Sequence, residues 1–214
     1  MSVGKEREKE RGEFMQDYII DYDLYIEEKI DGRIFLMARP NPRHLMIQKH
    51  LINMFSDYFK KKKKKCTAIF EMELHTNDEN YVQPDLMIYC KENNEKKNKK
   101  IPLIVVEVLS DSTWNKDMTY KMKKYAELGI EEYWVIDPRS QRISVYKLSG
   151  GIYDLDESYY HPLPLSEETG FSILSKAREK EQNEAVKEFS PSFFPEMTIS
   201  LKDVFDFDDL DIIM

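Results

Sequence analysis

The sequence predicts an α/β or α+β domain with a mixed central β-sheet flanked by helices. Three observations carry this expectation. Short alternating or apolar segments are separated by turn residues, and two longer stretches space their apolar residues three and four apart. One run, IPLIVVEVL at 101–109, is nearly continuously apolar, as a central strand covered on both faces requires. The predicted order is β-β-α-β-β-β-α-β-β-β. With 41% hydrophobic residues, 13 tyrosines and 11 phenylalanines in 214 residues, the chain can bury a sizeable core. Only seven glycines occur, and no repeat of about 20–50 residues is visible, which excludes fibrous, low-complexity and solenoid classes.

Residues 1–15 read as a charged leader and residues 16–214 as a single domain. The opening MSVGKEREKERGEF has no apolar stretch, so neither signal peptide nor anchor is expected. No apolar run approaches the roughly 20 residues that span a bilayer, so no membrane partner is expected. Asp23 to Met37 predicts two strands around an Asp31-Gly32 hairpin turn. The turn-rich ARPNPRH leads into a helix from His44 to Phe59, whose Ile47, Leu51, Met54, Phe55, Tyr58 and Phe59 form one buried face. Thr67 to His75 alternates, with Ala68, Phe70, Met72 and Leu74 on one side of a half-buried strand. Tyr81 to Cys90 and Ile101 to Leu109 are the next strands.

A helix from Ser112 to Leu128 should end at Gly129, a C-cap residue. Glu132 to Asp137 predicts a strand stopped by Pro138. Arg142 to Tyr146 and Gly151 to Leu155 form a hairpin across Ser149-Gly150-Gly151. Ser166 to Ser190 is polar with weak helical character, and SPSFFPEMTISLKDVF returns to the core at Phe193 and Phe194.

A net charge of −8 and a pI near 5.2 argue against a large basic surface. The charge is uneven, however. Lys60 to Lys65 is an unbroken basic run, Lys96, Lys97, Lys99 and Lys100 form a second cluster, and 203–211 is acidic. Such runs permit a polyanion partner, although most are solvated loops. Cys66 and Cys90 are too few for a disulfide framework and lack metal-type spacing, so free thiols in a reduced, cytoplasmic protein are expected.

Glu107 is the one carboxylate inside the most apolar strand, where period-two geometry places it with Leu103, Val105 and Leu109. An ionised glutamate there costs several kcal/mol unless a cation or metal compensates it. The plainer alternative is a strand-end residue reaching water or an arginine. Asp85 follows Pro84 beside Leu86 and Ile88 and alone would read as a turn residue. Paired at the ends of adjacent strands, the two carboxylates fit magnesium, which one or two carboxylates plus waters and phosphate oxygens can hold.

A phosphate site also needs a cation, and the helix after Glu107 offers Lys116, Lys121, Lys123 and Lys124. Its buried stripe is Met118, Met122 and Tyr125. At about 100° per residue Lys121 lies at the edge of that stripe, while Lys116 and Lys123 point nearly opposite. An ordinary i,i+4 pair of Lys121 with Asp117, worth about 0.3–0.5 kcal/mol, is compatible with the inward role.

The strings VQPDLMIYC, PLIVVEVLSDST and DMTYKMKKYAELGIEEYWVIDP resemble the Uma2 family of restriction-endonuclease-like proteins, a branch of the PD-(D/E)XK nuclease superfamily. The resemblance runs from the Asp31-Gly32 turn to the SFFPEMTISLKDVF ending. It implies a restriction-endonuclease-like core and metal-dependent endonuclease activity on phosphodiesters, in DNA as the expected substrate. Asp85 matches the aspartate of the PD motif, Glu107 the second acidic residue, and Lys121 a lysine carried on the following helix. The usual lysine two residues after Glu107 is replaced by Leu109. Glu28 matches an early acidic position, as an outer metal or water ligand or a surface hairpin residue. His44 sits near a family histidine, to contact phosphate or cap the helix, and Gln83 shares the strand face of Asp85.

The expected metal set is Asp85, Glu107 and the Val108 backbone carbonyl around magnesium or manganese. A homodimer would suit cleavage of duplex DNA. A second class of function is a catalytically silent nucleic-acid-binding or assembly module on the same fold. A metal-dependent hydrolase of another phosphate is a third.

Overall fold

Residue patterning has produced three sheets among the described residues, the two larger ones sharing an interior and a two-stranded pair near the C-terminus forming the third. The computed structural model describes residues 25–97, 100–110, 116–161 and 187–212. The expected leader, the start of the helix expected from Ser112 and most of the polar stretch from Ser166 lie outside these residues.

Strands β1 (Tyr25–Ile30) and β2 (Arg33–Ala38) form the expected hairpin, with Asp31 and Gly32 at φ 48° and 75°. Only residues that tolerate the left-handed region fit there, which is why Asp-Gly signals the turn. Helix α1 (Pro42–Lys61) is capped by Asn41, whose side chain accepts from the His44 N–H. Strands β3 (Cys66–Phe70), β4 (Leu74–His75), β5 (Tyr81–Val82), β6 (Leu86–Cys90) and β7 (Ile104–Val108) follow, with a short helix α2 (Lys91–Lys97) after β6. A π-helical turn (Asp117–Lys121) runs into α3 (Met122–Leu128), which ends on Gly129 at φ 76° as expected. Strands β8 (Glu132–Asp137), β9 (Arg142–Ser149) and β10 (Ile152–Tyr160) complete the main sheet. The tail adds β11 (Glu188–Phe189), β12 (Ile199–Ser200), α4 (Leu201–Val204) and a final 3₁₀ turn.

The large sheet has the order β10-β9-β8-β7-β6-β3 and the small one β2-β1-β5-β4. Among the described residues only β7 and β8 pair in parallel in the large sheet, so the chain between them crosses over through the helix that carries Lys121. One face of the large sheet packs Leu86, Ile88, Val106, Val108 and Trp134 against α1 and the C-terminal segment. The other packs Met87, Val105, Tyr133 and Val135 against Tyr125 of α3 and against Ile30 and Val82 of the small sheet.

Four expectations need correction. The strand expected over Thr67–His75 breaks at Glu71, whose φ of 48° turns the chain from the large sheet to the small one. The strand expected over Tyr81–Cys90 likewise divides at Gln83-Pro84-Asp85, since proline cannot donate to a ladder. Phe194 is 3% exposed in the core, but Phe193 is 36% exposed, because the Pro191–Phe194 turn buries only one of the two rings. Finally, Cys66 and Cys90 are not free thiols. They are directly opposed on β3 and β6, with Cα atoms 4.1 Å apart, and are joined by a disulfide. Their 24-residue separation in sequence hides that proximity.

Candidate active site

Three elements converge where the small sheet meets the large one. β7 contributes Glu107, which is 1% exposed and lies on the Val105 face as strand alternation requires. Leu103 instead packs on the opposite face, because the strand begins only at Ile104. The Glu107 carboxylate is buried and has no arginine partner among the described residues. Its Oε1 accepts from the Lys121 ammonium at 2.9 Å and from the Tyr125 hydroxyl at 2.5 Å.

Asp85 stands immediately before β6. Its Oδ2 accepts the Val108 N–H at 2.6 Å, and its Oδ1 meets His44 Nε2 at 2.9 Å. Gln48, one helical turn after His44 on α1, donates to the Asp85 carbonyl at 3.1 Å and lies 3.4 Å from Oδ1. The amide of Val108 thus ties the PD segment to the end of the glutamate strand. Asn41 caps α1, which leaves the His44 ring for Asp85.

Lys121 is 2% exposed and sits 2.8 Å from Glu28 Oε1, 2.9 Å from Glu107 Oε1 and 3.4 Å from Asp117 Oδ1. Glu28 is fully buried on β1, not a surface hairpin residue, and its Oε1 also accepts the Gln83 N–H at 2.8 Å. Gln83 itself lies between strands and donates its side-chain amide to the Glu71 carbonyl. The expectation that Lys116 points away from the buried side is overturned. Lys116 is buried and its ammonium bonds the other oxygen of Glu28. The π-helical turn explains this: its i→i+5 period brings residues five apart onto one side, so Lys116 and Lys121 face Glu28 together.

His44, Gln83, Asp85, Glu107, Val108 and Lys121 line a cavity of about 40 Å³. That volume suits a single ion or water, since a water occupies about 30 Å³ of liquid. Burial pushes the Glu107 carboxyl well above the usual range; Lys121 opposes that shift, while Asp117, Asp85 and Glu28 reinforce it. Burial alone would depress the Lys121 ammonium, but Glu107, Glu28, Asp117 and Asp85 together raise it well above its ordinary value. Four carboxylates (Glu28, Asp85, Glu107, Asp117) converge with two ammonium groups (Lys116, Lys121) and the His44 ring. Oxygen donors of this kind suit a hard divalent cation. Among the described residues no three His, Cys, Asp or Glu side chains form a ready-made cage, so such an ion would complete its shell with water or phosphate oxygens.

The family model of Uma2, described as "Putative restriction endonuclease", matches residues 13–176. The chain belongs to the Uma2 family. None of the curated proteins matches. Among solved structures it is similar to one described as "a putative nuclease belonging to DUF820" from Anabaena variabilis. That likeness has 21% identity and a TM-score of 0.59, covering 84% of this chain and 89% of the other. The restriction-endonuclease-like α+β fold is thereby shown. The type IIG restriction endonuclease BpuSI aligns over 65% of this chain and 16% of its own, at 13% identity and a TM-score of 0.36.

Three contacts of this Uma2 chain were not read from sequence. Gln48 follows His44 at i+4, and a polar pair at that spacing inside a buried helix face was the available signal. Tyr125 follows Lys121 at i+4 but reads as ordinary core. Lys116 could not be found from a 3.6-residue period.

Proposed function

We propose that this Uma2 chain is a metal-dependent endonuclease that hydrolyses phosphodiester bonds in DNA. The observation that supports it most is the convergence of Asp85, Glu107 and Lys121 on one small cavity, with the ammonium wedged between two buried glutamates. Asp85, Glu107 and the Val108 carbonyl would hold magnesium or manganese, which supplies Lewis-acid polarisation of the phosphodiester and a more acidic water. His44 and the Val108 amide fix the Asp85 carboxylate in place before substrate arrives. Tyr125 holds the Glu107 carboxylate from behind. Glu28 holds the Lys121 ammonium at the cavity, where its charge would orient the attacking water and offset charge developing on phosphorus.

Nicking of supercoiled plasmid with added magnesium tests the reading. Glu107→Gln and Lys121→Ala should each cost about a hundredfold or more in rate. Nicking that survives both substitutions removes the site. The competing reading, a silent nucleic-acid-binding or assembly module, draws on the lysine runs outside the cavity. It predicts no magnesium-dependent rise in melting temperature, whereas the enzyme should show one that Asp85→Ala abolishes.

A further inference from the structure

We infer that β3 is a self-association surface: the outer edge of the large sheet pairs antiparallel with β3 of a second copy, about a two-fold axis at Ala68. The backbone register comes first. Lys91 N–H donates to the Lys65 carbonyl at 2.9 Å, one residue outside the Cys66–Cys90 pair on each strand. In an antiparallel ladder that bond marks Cys66–Cys90 as a non-hydrogen-bonded pair, in agreement with the 4.1 Å between their Cα atoms. Thr67 and Ile69 therefore direct their amides and carbonyls to β6, while Cys66, Ala68 and Phe70 direct theirs outward. Among the described residues nothing bonds those outward groups.

An edge of this kind is a template for another strand unless something blunts it. The opposite edge, β10, carries a register shift between Leu155 and Glu157. β3 has none: its register with β6 is unbroken from Cys66 to Phe70, and the disulfide fastens it there. Its far end is also apolar, with Phe70 54% and Met72 40% exposed.

Charge selects the occupant. The segment KKKKKCTAIFEME is basic before the strand and acidic after it. Antiparallel pairing centred on Ala68 sets Lys65 of one copy against Glu71 of the other, twice over by symmetry. The chain turns at Lys63 (φ 52°) and Glu71 (φ 48°), so Lys63 and Glu73 add charge of the same sign beside each end of the ladder and not within it. Lys63 and Lys65 have no ion-pair partner among the described residues, and all four side chains are exposed. A parallel partner would oppose like charges, and an unrelated strand would have no reason to match this gradient. A second copy of the chain matches it at both ends of the strand.

Sedimentation velocity on the full chain tests the inference apart from any activity. The wild type should dimerise at micromolar concentrations in low salt and weaken as salt screens the end charges. Glu71→Lys with Glu73→Lys should weaken dimerisation about tenfold or more, as should Lys63→Glu with Lys65→Glu, because each opposes like charges. An equal mixture of the two double variants should associate again, as a heterodimer. A monomeric wild type, double variants that dimerise as tightly as wild type, or a mixture that stays monomeric would each overturn the interface.

Discussion

Glu132 and Glu107 are both buried glutamates on neighbouring strands, yet they differ in what surrounds them. Glu107 meets an ammonium and a phenol, whereas Glu132 Oε1 accepts a long 3.4 Å contact from the Ser192 N–H and Oε2 has no hydrogen-bond partner within normal distance among the described residues. Burial is the largest influence on the Glu132 carboxyl and holds it above its usual value of 4.5, against the weaker pull of Ser192, Lys147 and Trp134. A carboxyl raised by folding is most favourable when protonated, so its penalty is absent below the unfolded pKa and grows as pH rises through the folded one. Glu132→Gln should accordingly raise the melting temperature at pH 7, with the gain shrinking toward pH 4.5; an equal gain at both pH values would contradict the burial argument. At this scale the sequence was informative where chemistry and pattern conflicted. An acid in IPLIVVEVL stands out, and so does an aspartate after Pro84. Tyr125 and Gln48 did not stand out, because an aromatic or amide on a buried stripe has an ordinary structural explanation.

The π-helical turn from Asp117 to Lys121 decides which lysines enter the site. Sequence periodicity assumes 3.6 residues per turn, and that assumption is why Lys116 was assigned to the wrong side. One inserted residue restores the arrangement: with a wider turn, Lys116 and Lys121 share Glu28. Deleting Thr119, an exposed residue within the turn, should convert it to a regular helix and swing Lys116 out of the cluster. The expected result is a folded protein, by far-ultraviolet circular dichroism, whose nicking rate falls about tenfold or more as Lys121 loses its fixed position. An unchanged rate would mean that the turn serves packing alone. The strand breaks at Glu71 and Pro84 follow the same pattern. Alternation identified the strands, but the left-handed residue and the proline decided to which sheet each half belongs.

At the scale of the molecule, the fold class and the order of the core elements were readable because burial imposes periods of 2 and 3.6 on the sequence. The division into two sheets and the pairing of the cysteines were not, because both depend on contacts between segments distant in the chain. The Cys66–Cys90 bond closes a loop of 24 residues, which the chain-entropy relation equates with about 3 kcal/mol. Reduction should lower the melting temperature by roughly 6–12 °C for a domain of this size, and Cys66→Ser with Cys90→Ser should remove the response to reductant. An oxidised wild type whose melting point ignores reductant would show that the bond constrains nothing. Among the described residues no helix is long and apolar enough to cross a membrane.

The charge cluster takes Glu28 from the small sheet, Asp85 from the turn that enters β6, Glu107 from β7 and Lys121 from the crossover between β7 and β8. Ninety-three residues of chain separate the first member from the last, and Glu28 comes within reach of Lys121 only when the small sheet has closed on the large one. Contacts of such long range form late, because loop closure must precede them. A chain whose sheets have not closed on each other therefore carries all the charges without the contact between Glu28 and Lys121 that joins them.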